Sequence, residues 1–326
     1  MDHSERHLLD SEPHTAGVVI ATKHRPPSNR VDAMIKALRP KQWVKNVLVI
    51  AAPAAAGAEA LANGRILADV ALAFVVFCFA ASAIYLVNDA RDVTSDREHP
   101  TKRFRPIASG MLPLGLAYAM AVVLIFLAVG LSLLASAGVS LATVVAVYIA
   151  LQLGYCFGWK NIPVVDIALV SSGFMLRAMA GGAAAHIELS QWFLLVMAFG
   201  SLFMAAGKRY SEMILAQKTG AKIRKSLEGY TPTYLRFVWT LSATAVVLSY
   251  ALWGFQMANH DLPNAALWYQ ISLVPFTVAI LRYALDVDRG DGGAPDELAL
   301  SDRVLQILAI AWVACMVMAV YVIPGF

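Results

Sequence analysis

Four residues near position 90 have the types and the spacing to bind a metal ion. The segment Tyr85-Leu86-Val87-Asn88-Asp89-Ala90-Arg91-Asp92-Val93-Thr94-Ser95-Asp96 follows a long apolar run. If a helix continues through it, Asn88, Asp92 and Asp96 stand at i, i+4 and i+8, and Asp89 falls within the same arc. Carboxylates one turn apart repel, so an oxygen-rich face of this kind calls for a cation. Mg²⁺ is the hard cation that takes few protein ligands and bridges phosphates. Asn88, Asp92 and Asp96 are therefore candidate metal ligands, and with Asp89 they form the candidate catalytic set. The plain alternative is a solvated acidic helix end balanced by Arg91, Arg97, Lys102 and Arg103. The scarcity of acids in this chain favours the metal.

The cations that would serve a phosphorylated substrate lie close by. Lys102, Arg103 and Arg105 fall within four residues, directly after the acidic face. Together with Mg²⁺ they suit a ligand carrying several phosphates, although a cationic membrane anchor reads almost as well. A second motif, Tyr155-Cys156-Phe157-Gly158-Trp159-Lys160-Asn161-Ile162-Pro163-Val164-Val165-Asp166, closes one apolar run and opens the next. Lys160 and Asp166 are either a salt bridge at the interface, worth little, or, with Tyr155, a second phosphate or metal contact. Arg177 lies inside an apolar run, where a charge faces a partner or a polar cavity. It is read here as an anion anchor, against the alternative of pairing with a buried backbone group or acid. Lys208 and Arg209 extend the end of another run. Near the start, Lys41, Lys45 and Asn46 lie one turn apart around Trp43, either as an anchor or facing the same mouth.

These groups are carried by a chain whose composition points to lipid as its main solvent. Of 326 residues, 59% are hydrophobic and 15% are charged, and the mean hydropathy is +0.63. Soluble domains carry about 25% charged residues, so a soluble enzyme and a secreted disulfide scaffold are both excluded. The stretch from Pro106 to Trp159 holds no Asp, Glu, Lys or Arg across 54 residues, and Val304 to Phe326 is equally bare. Apolar runs at 47–61, 66–87, 112–134, 139–157, 162–185, 191–206, 234–257, 267–285 and 304–323 give nine expected helical spans, the first short and interrupted by Pro53 and Gly57. They are too long and too little alternated for barrel strands of about 10 residues. Residues 1–33 are polar and read as a disordered cytoplasmic tail, leaving 34–326 as one membrane domain. Cys78, Cys156 and Cys315 are scattered in apolar runs and read as small core residues.

With nine spans, 24 of the 26 Lys and Arg fall on one side, counting Arg236 and Arg282 at the ends of their runs. Such residues are retained in the cytoplasm. The N-terminus and the chemistry are thus expected on the cytoplasmic face of the plasma membrane and the C-terminus outside.

In combination these motifs resemble the UbiA prenyltransferase superfamily, from about residue 34 to the C-terminus. Within it, Arg39-Pro40-Lys41-Gln42-Trp43-Val44-Lys45-Asn46 and Glu98-His99-Pro100-Thr101-Lys102-Arg103-Phe104-Arg105-Pro106 look like the actinobacterial decaprenyl-phosphate phosphoribosyltransferases. The resemblance implies an all-α fold of nine transmembrane helices around a central cavity open to the cytoplasm. It implies transfer of phosphoribose from 5-phosphoribosyl 1-diphosphate to polyprenyl (decaprenyl) phosphate, with Mg²⁺, on the route to cell-wall arabinan. It also implies a homo-oligomer, a trimer, and no nucleic-acid partner. Carried over by motif, Asn88 and Asp92 hold Mg²⁺ on the leaving diphosphate, and Asp89 and Asp96 add metal or ribose contacts. Lys45, Tyr85, Lys102, Lys160 and Arg177 contact phosphates, and Lys208 and Arg209 hold the ribose 5-phosphate. Asp166 is the sole early carboxylate of the second motif, where many prenyl-diphosphate users carry an acidic cluster.

Two rivals remain at this stage. One is a prenyltransferase acting from prenyl diphosphate on an aromatic acceptor. The other is a transporter of an anionic lipid or metabolite with Arg177 as its midplane site. Against the transporter, nine spans do not halve, no internal repeat is visible, and the ionisable groups cluster on one face.

Overall fold

The computed structural model describes residues 26–219, 227–260, 263–293, 298 and 301–322. Among these every regular element is helical: α1 (Arg30–Ala37), α2 (Ala51–Ala55), α3 (Ala58–Ala62), α4 (Gly64–Arg91), α5 (Val93–Glu98), α6 (Leu114–Ser132), α7 (Gly138–Cys156), α8 (Val165–Ala185), α9 (Gln191–Thr219), α10 (Pro232–His260), α11 (Pro263–Arg289) and α12 (Arg303–Val317). Eight of them, α4 and α6 to α12, are long and apolar enough to cross a membrane, α12 with the turn that follows it. In hydrocarbon a helix satisfies its own backbone groups, so an unalternated apolar run of about 20 residues has no cheaper form.

The run at 47–61, expected as a ninth span, is not one helix. Its first residues belong to a 3₁₀ segment, Pro40–Ile50, which is followed by the five-residue helices α2 and α3. Gly57, at φ +102°, separates those two, a conformation that L side chains rarely adopt. Positions 30–33, expected within the disordered tail, are helical. α1 starts at Arg30, with the Asn29 side chain accepting from the Asp32 amide at 2.8 Å. Residues 1–25, the rest of that tail, lie outside the described residues, as do Lys222, Arg224 and Lys225 of the loop after α9.

The chain divides into two compact units, one holding the described residues up to Lys41 and Ala81–Leu124, the other Gln42–Ala80 and the chain from Ile125 onward. In the first, the Ser82 hydroxyl donates to the Leu38 carbonyl at 2.8 Å, tying the chain after α1 to α4. α4 ends at Arg91, Asp92 breaks the helical geometry at ψ 6°, and α5 resumes for one and a half turns. In the second unit each helix packs on the next, α7 on α8, α8 on α9, α9 on α10, α10 on α11 and α11 on α12, and α2 lies on α8. There α8 is mostly buried and α12 mostly outward-facing. At Gly181 a Cβ would stand 1.8 Å from the Val49 carbonyl oxygen, so only glycine admits the 3₁₀ segment this close to α8.

Candidate active site

Each unit contains a cluster of ionisable side chains built on one of the motifs. In the first unit the backbone carries helical bonding across the break at Asp92. The Asp92 amide donates to Asn88 O at 2.9 Å and the Asp96 amide to Asp92 O at 2.8 Å. Asn88, Asp92 and Asp96 are therefore successive on one strip, as their spacing predicts. Their surroundings differ. Asn88 and Asp92 are half-buried, while Asp89 and Asp96 are buried, with 4% and 2% of their surface exposed.

Buried carboxylates must be paired, and the partners are Arg39 and Arg105. Arg39 Nη2 donates to both oxygens of Asp89, at 2.6 and 2.8 Å, with its guanidinium 4.9 Å from the centre of the Tyr85 ring. Arg105 Nη1 donates to Asp96 Oδ2 at 2.7 Å and Asp89 Oδ1 at 3.2 Å. Arg39 itself sits at φ +54°, outside the helical region that α1 occupies.

Here the structure departs from the sequence reading. The acids are balanced by Arg39, which was not among the expected site residues, and by Arg105, expected on phosphate. Arg97 is turned to the Ala108 carbonyl at 3.2 Å, and Arg103 is exposed with its guanidinium over the Phe104 ring. Lys102 is half-buried and Lys41 exposed.

Among the described residues no three His, Cys, Asp or Glu side chains gather as a ready-made metal cage. The donor set still fits Mg²⁺. Asn88 and Asp92 offer two hard oxygens one turn apart at partly open positions, and Mg²⁺ takes one or two carboxylates while water and substrate phosphate fill its other sites. Asp96, expected as a third ligand, is engaged with Arg105.

The second unit holds the Tyr155…Asp166 motif. Asp166 is fully buried at the first turn of α8, where a carboxylate suits the helix N-terminus. It accepts from Arg209 Nε at 3.3 Å and from the Tyr230 hydroxyl, so Arg209 is a partner that the motif itself does not contain. Arg209, itself buried, also contacts Glu212 at 3.3 Å and has the Tyr155 hydroxyl in hydrogen-bond reach. Burial and the bond to Asp166 push the Tyr230 hydroxyl above the ordinary tyrosine range, which keeps it a proton donor. Lys45 and Lys160 are half-buried, and Lys208 is exposed.

Arg177 lies deeper along α8. It donates to Gly173 O at 2.6 Å, to Asn46 Oδ1 at 2.7 Å and to the Tyr148 hydroxyl at 2.9 Å, with the Tyr148 ring centre 5.0 Å away. Asn46, fully buried, points its amide nitrogen at Cys78 Sγ, 3.3 Å away. All three groups that hold Arg177 are neutral, one a backbone carbonyl and two side chains, where the sequence offered an anion, a buried backbone group or an acid. Arg177 fastens the 3₁₀ segment to α8.

Sequence reading missed Arg39, Glu212, Tyr148 and Tyr230. Arg39 headed a quoted motif and Glu212 stood three residues after Arg209. Nothing local marked the two tyrosines, because their partners are distant in the chain.

The helical fold has a known class: the chain belongs to the UbiA prenyltransferase family, whose model matches residues 47–308. Within that class it is 73% identical over 321 residues to the decaprenyl-phosphate phosphoribosyltransferase of Corynebacterium glutamicum, covering 98% of this chain and 96% of that one. It is 56% identical to the Mycolicibacterium smegmatis protein of the same name, covering 97% of this chain and 98% of the relative. The solved structure of a UbiA homolog from Archaeoglobus fulgidus bound to DMAPP and Mg²⁺ shares the fold, with a TM-score of 0.65 at 15% identity over 90% of this chain and 99% of that one. The all-α membrane fold expected from the sequence is borne out.

Proposed function

We propose that this chain transfers the 5-phosphoribosyl group of 5-phosphoribosyl 1-diphosphate to the phosphate of decaprenyl phosphate and releases diphosphate. The observation that carries this reading is the near-full-length likeness to phosphoribosyltransferases of that name. The geometry supports it with an anion site built of fixed charges.

In the reaction the C1–O bond to diphosphate breaks, its electron pair leaves with the diphosphate, and an oxygen of the lipid phosphate bonds to C1. The nucleophile is already an anion, so no proton has to be removed by the protein. Catalysis then rests on electrostatic stabilisation of the leaving group and on alignment of two anions that repel. Mg²⁺, when bound, neutralises the charge that develops on the departing diphosphate. Asn88 and Asp92 would hold that ion. Lys102, Arg103, Lys41 and the Tyr85 hydroxyl supply donors to the diphosphate. Arg39 and Arg105 keep Asp89 and Asp96 neutralised, so that the acids beside the metal ligands do not repel an incoming polyanion. In the second unit Lys45, Lys160 and Lys208 are the cations assigned to phosphate. Arg209 and Arg177 act on Asp166 and Asn46 instead.

The Arg39 to Asp89 pair puts the basic segment before α2 on the same side as the cations that follow α4, which supports a plasma-membrane protein with its N-terminus and its reaction in the cytoplasm. The product would serve cell-wall arabinan synthesis.

The test is an assay in detergent or native membranes with radiolabelled 5-phosphoribosyl 1-diphosphate, decaprenyl phosphate and Mg²⁺. Label reaching the organic phase only with Mg²⁺ and with Asp92 intact is the expected result. Absence of lipid-soluble label from folded protein, with transfer from a prenyl diphosphate instead, overturns it.

A further inference from the structure

The turn between α7 and α8 is held in an uncommon conformation from outside. Val164, a β-branched residue, stands at φ +71° and ψ −46°, a region that such side chains occupy at a cost. Its amide donates to the Tyr230 hydroxyl, and the same hydroxyl donates to Asp166 Oδ1. Tyr230 reaches the turn from the short segment before α10, where its amide is bonded to Leu227 O at 3.0 Å and its ring stacks on Tyr234 at 6.0 Å. The ring is buried among Leu227, Met213, Tyr210 and Trp239. The preceding residue, Gly229, lies so close to the turn that a Cβ there would stand 2.4 Å from Pro163 Cγ. One hydroxyl and one missing side chain thus lock the segment that carries Lys160 at one end and Asp166 at the other.

We propose that Tyr230 is a positioning residue for phosphate binding, and that Gly229 and Tyr230 form a clasp that fixes Lys160 through the Val164 turn and Asp166. The proposal rests on the function given above, in which Lys160 is a phosphate contact. A tyrosine suits this task because a hydroxyl accepts from an amide and donates to a carboxylate at once. Phenylalanine keeps the packing and loses both bonds. The alternative is a hydroxyl that merely satisfies two buried groups, with no bearing on ligand.

The experiment uses the full-length protein in detergent, folded by size-exclusion chromatography, with two readouts. Steady-state kinetics give KM and kcat for 5-phosphoribosyl 1-diphosphate, and calorimetry gives the affinity for inorganic diphosphate with Mg²⁺. Tyr230→Phe is expected to raise KM roughly tenfold, about the effect of one lost hydrogen bond, and to weaken diphosphate by a similar factor, with kcat nearly unchanged. Gly229→Ala, which keeps the hydroxyl and pushes on Pro163, is expected to do the same. Adding Tyr230→Phe to Lys160→Met is expected to cost little beyond Lys160→Met alone. Unchanged KM and diphosphate affinity in both clasp variants, or losses that multiply with Lys160→Met, overturn the proposal. If wild-type protein binds diphosphate yet transfers no phosphoribose, the assigned reaction falls, and the calorimetric arm still decides the role of Tyr230.

Discussion

Arg105 holds Asp96 at 2.7 Å, and the same nitrogen lies 3.2 Å from Asp89. One guanidinium thus closes the turn that follows the candidate metal ligands, joining the end of α4 to α5 and the segment beyond it. Because both acids are buried, the arrangement is worth more for what its loss would expose than for the attraction itself.

Arg105→Ala should therefore destabilise the protein by about 3 kcal/mol, since it strands Asp96 without its guanidinium partner. Arg105→Lys should recover only part of this, because one ammonium on a flexible stem replaces a planar fork. Thermal unfolding of the detergent-solubilised protein measures both. Equal melting temperatures for wild type and Arg105→Ala would refute the pairing.

Packing in the second unit makes a separate prediction at Gly181, where a methyl group would meet the Val49 carbonyl oxygen at 1.8 Å. Gly181→Ala must push the 3₁₀ segment off α8, costing about 1–3 kcal/mol and disturbing the Asn46 to Arg177 bond. Gly254→Ala is the comparison, since its nearest neighbour would be Tyr269 O at an ordinary 3.6 Å. That variant should match or slightly exceed wild type in melting temperature, because alanine is the better helix former.

The contrast between local and distant partners explains how much of this molecule was legible in its sequence. Asn88, Asp92 and Asp96 share a strip because a helix repeats every 3.6 residues, which spacing alone reveals. Hydropathy likewise finds the eight long helices, since lipid imposes their length. It still counts 47–61 as a span, although Pro53 and Gly57 mark an interruption there, because a 3₁₀ segment and an α-helix draw on the same apolar residues. Arg39 meets Asp89 across 50 positions, Tyr230 meets Asp166 across 64, and Arg177 meets Asn46 across 131. Such pairs are made by tertiary packing, and one sequence carries no periodic trace of them. For that reason Arg105 and Arg177 read as anion contacts, with no sign in the sequence that Arg105 Nη1 bonds Asp89 and Asp96 or that Arg177 bonds Asn46.

At the start of α12, Asp302 carries a pH dependence with a definite sign. Its carboxylate accepts from Arg282 Nε at 2.7 Å and from the Val304 amide at 2.7 Å, and these bonds, Arg282 first, hold it below the usual carboxylate range. A depressed folded value means that its contribution is fully present above the unfolded value near 3.8 and is lost as pH falls through the lower folded one. Stability measured from pH 6 down to pH 2 should therefore fall more steeply below about pH 4 in wild type than in Asp302→Asn. Parallel curves for the two proteins would show that Asp302 is not coupled to folding.

Asp92 and Asp96 make the sharpest functional contrast, because they lie one turn apart with opposite surroundings. Asp92 is half-buried and is the proposed metal ligand, while Asp96 is 2% exposed and held by Arg105. Asp92→Asn should leave the melting temperature nearly unchanged and lower kcat by roughly 10²–10³, the scale for loss of one transition-state charge stabiliser. It should also raise the Mg²⁺ concentration needed for half-maximal rate. Asp96→Asn should do the reverse, reducing stability while the Mg²⁺ dependence of the remaining folded enzyme stays as in wild type. The two Mg²⁺ titrations, each normalised to folded protein, separate a ligand from a neighbour. An unaltered titration in Asp92→Asn would remove that carboxylate from the metal site, and a shifted one in Asp96→Asn would add a third ligand to Asn88 and Asp92.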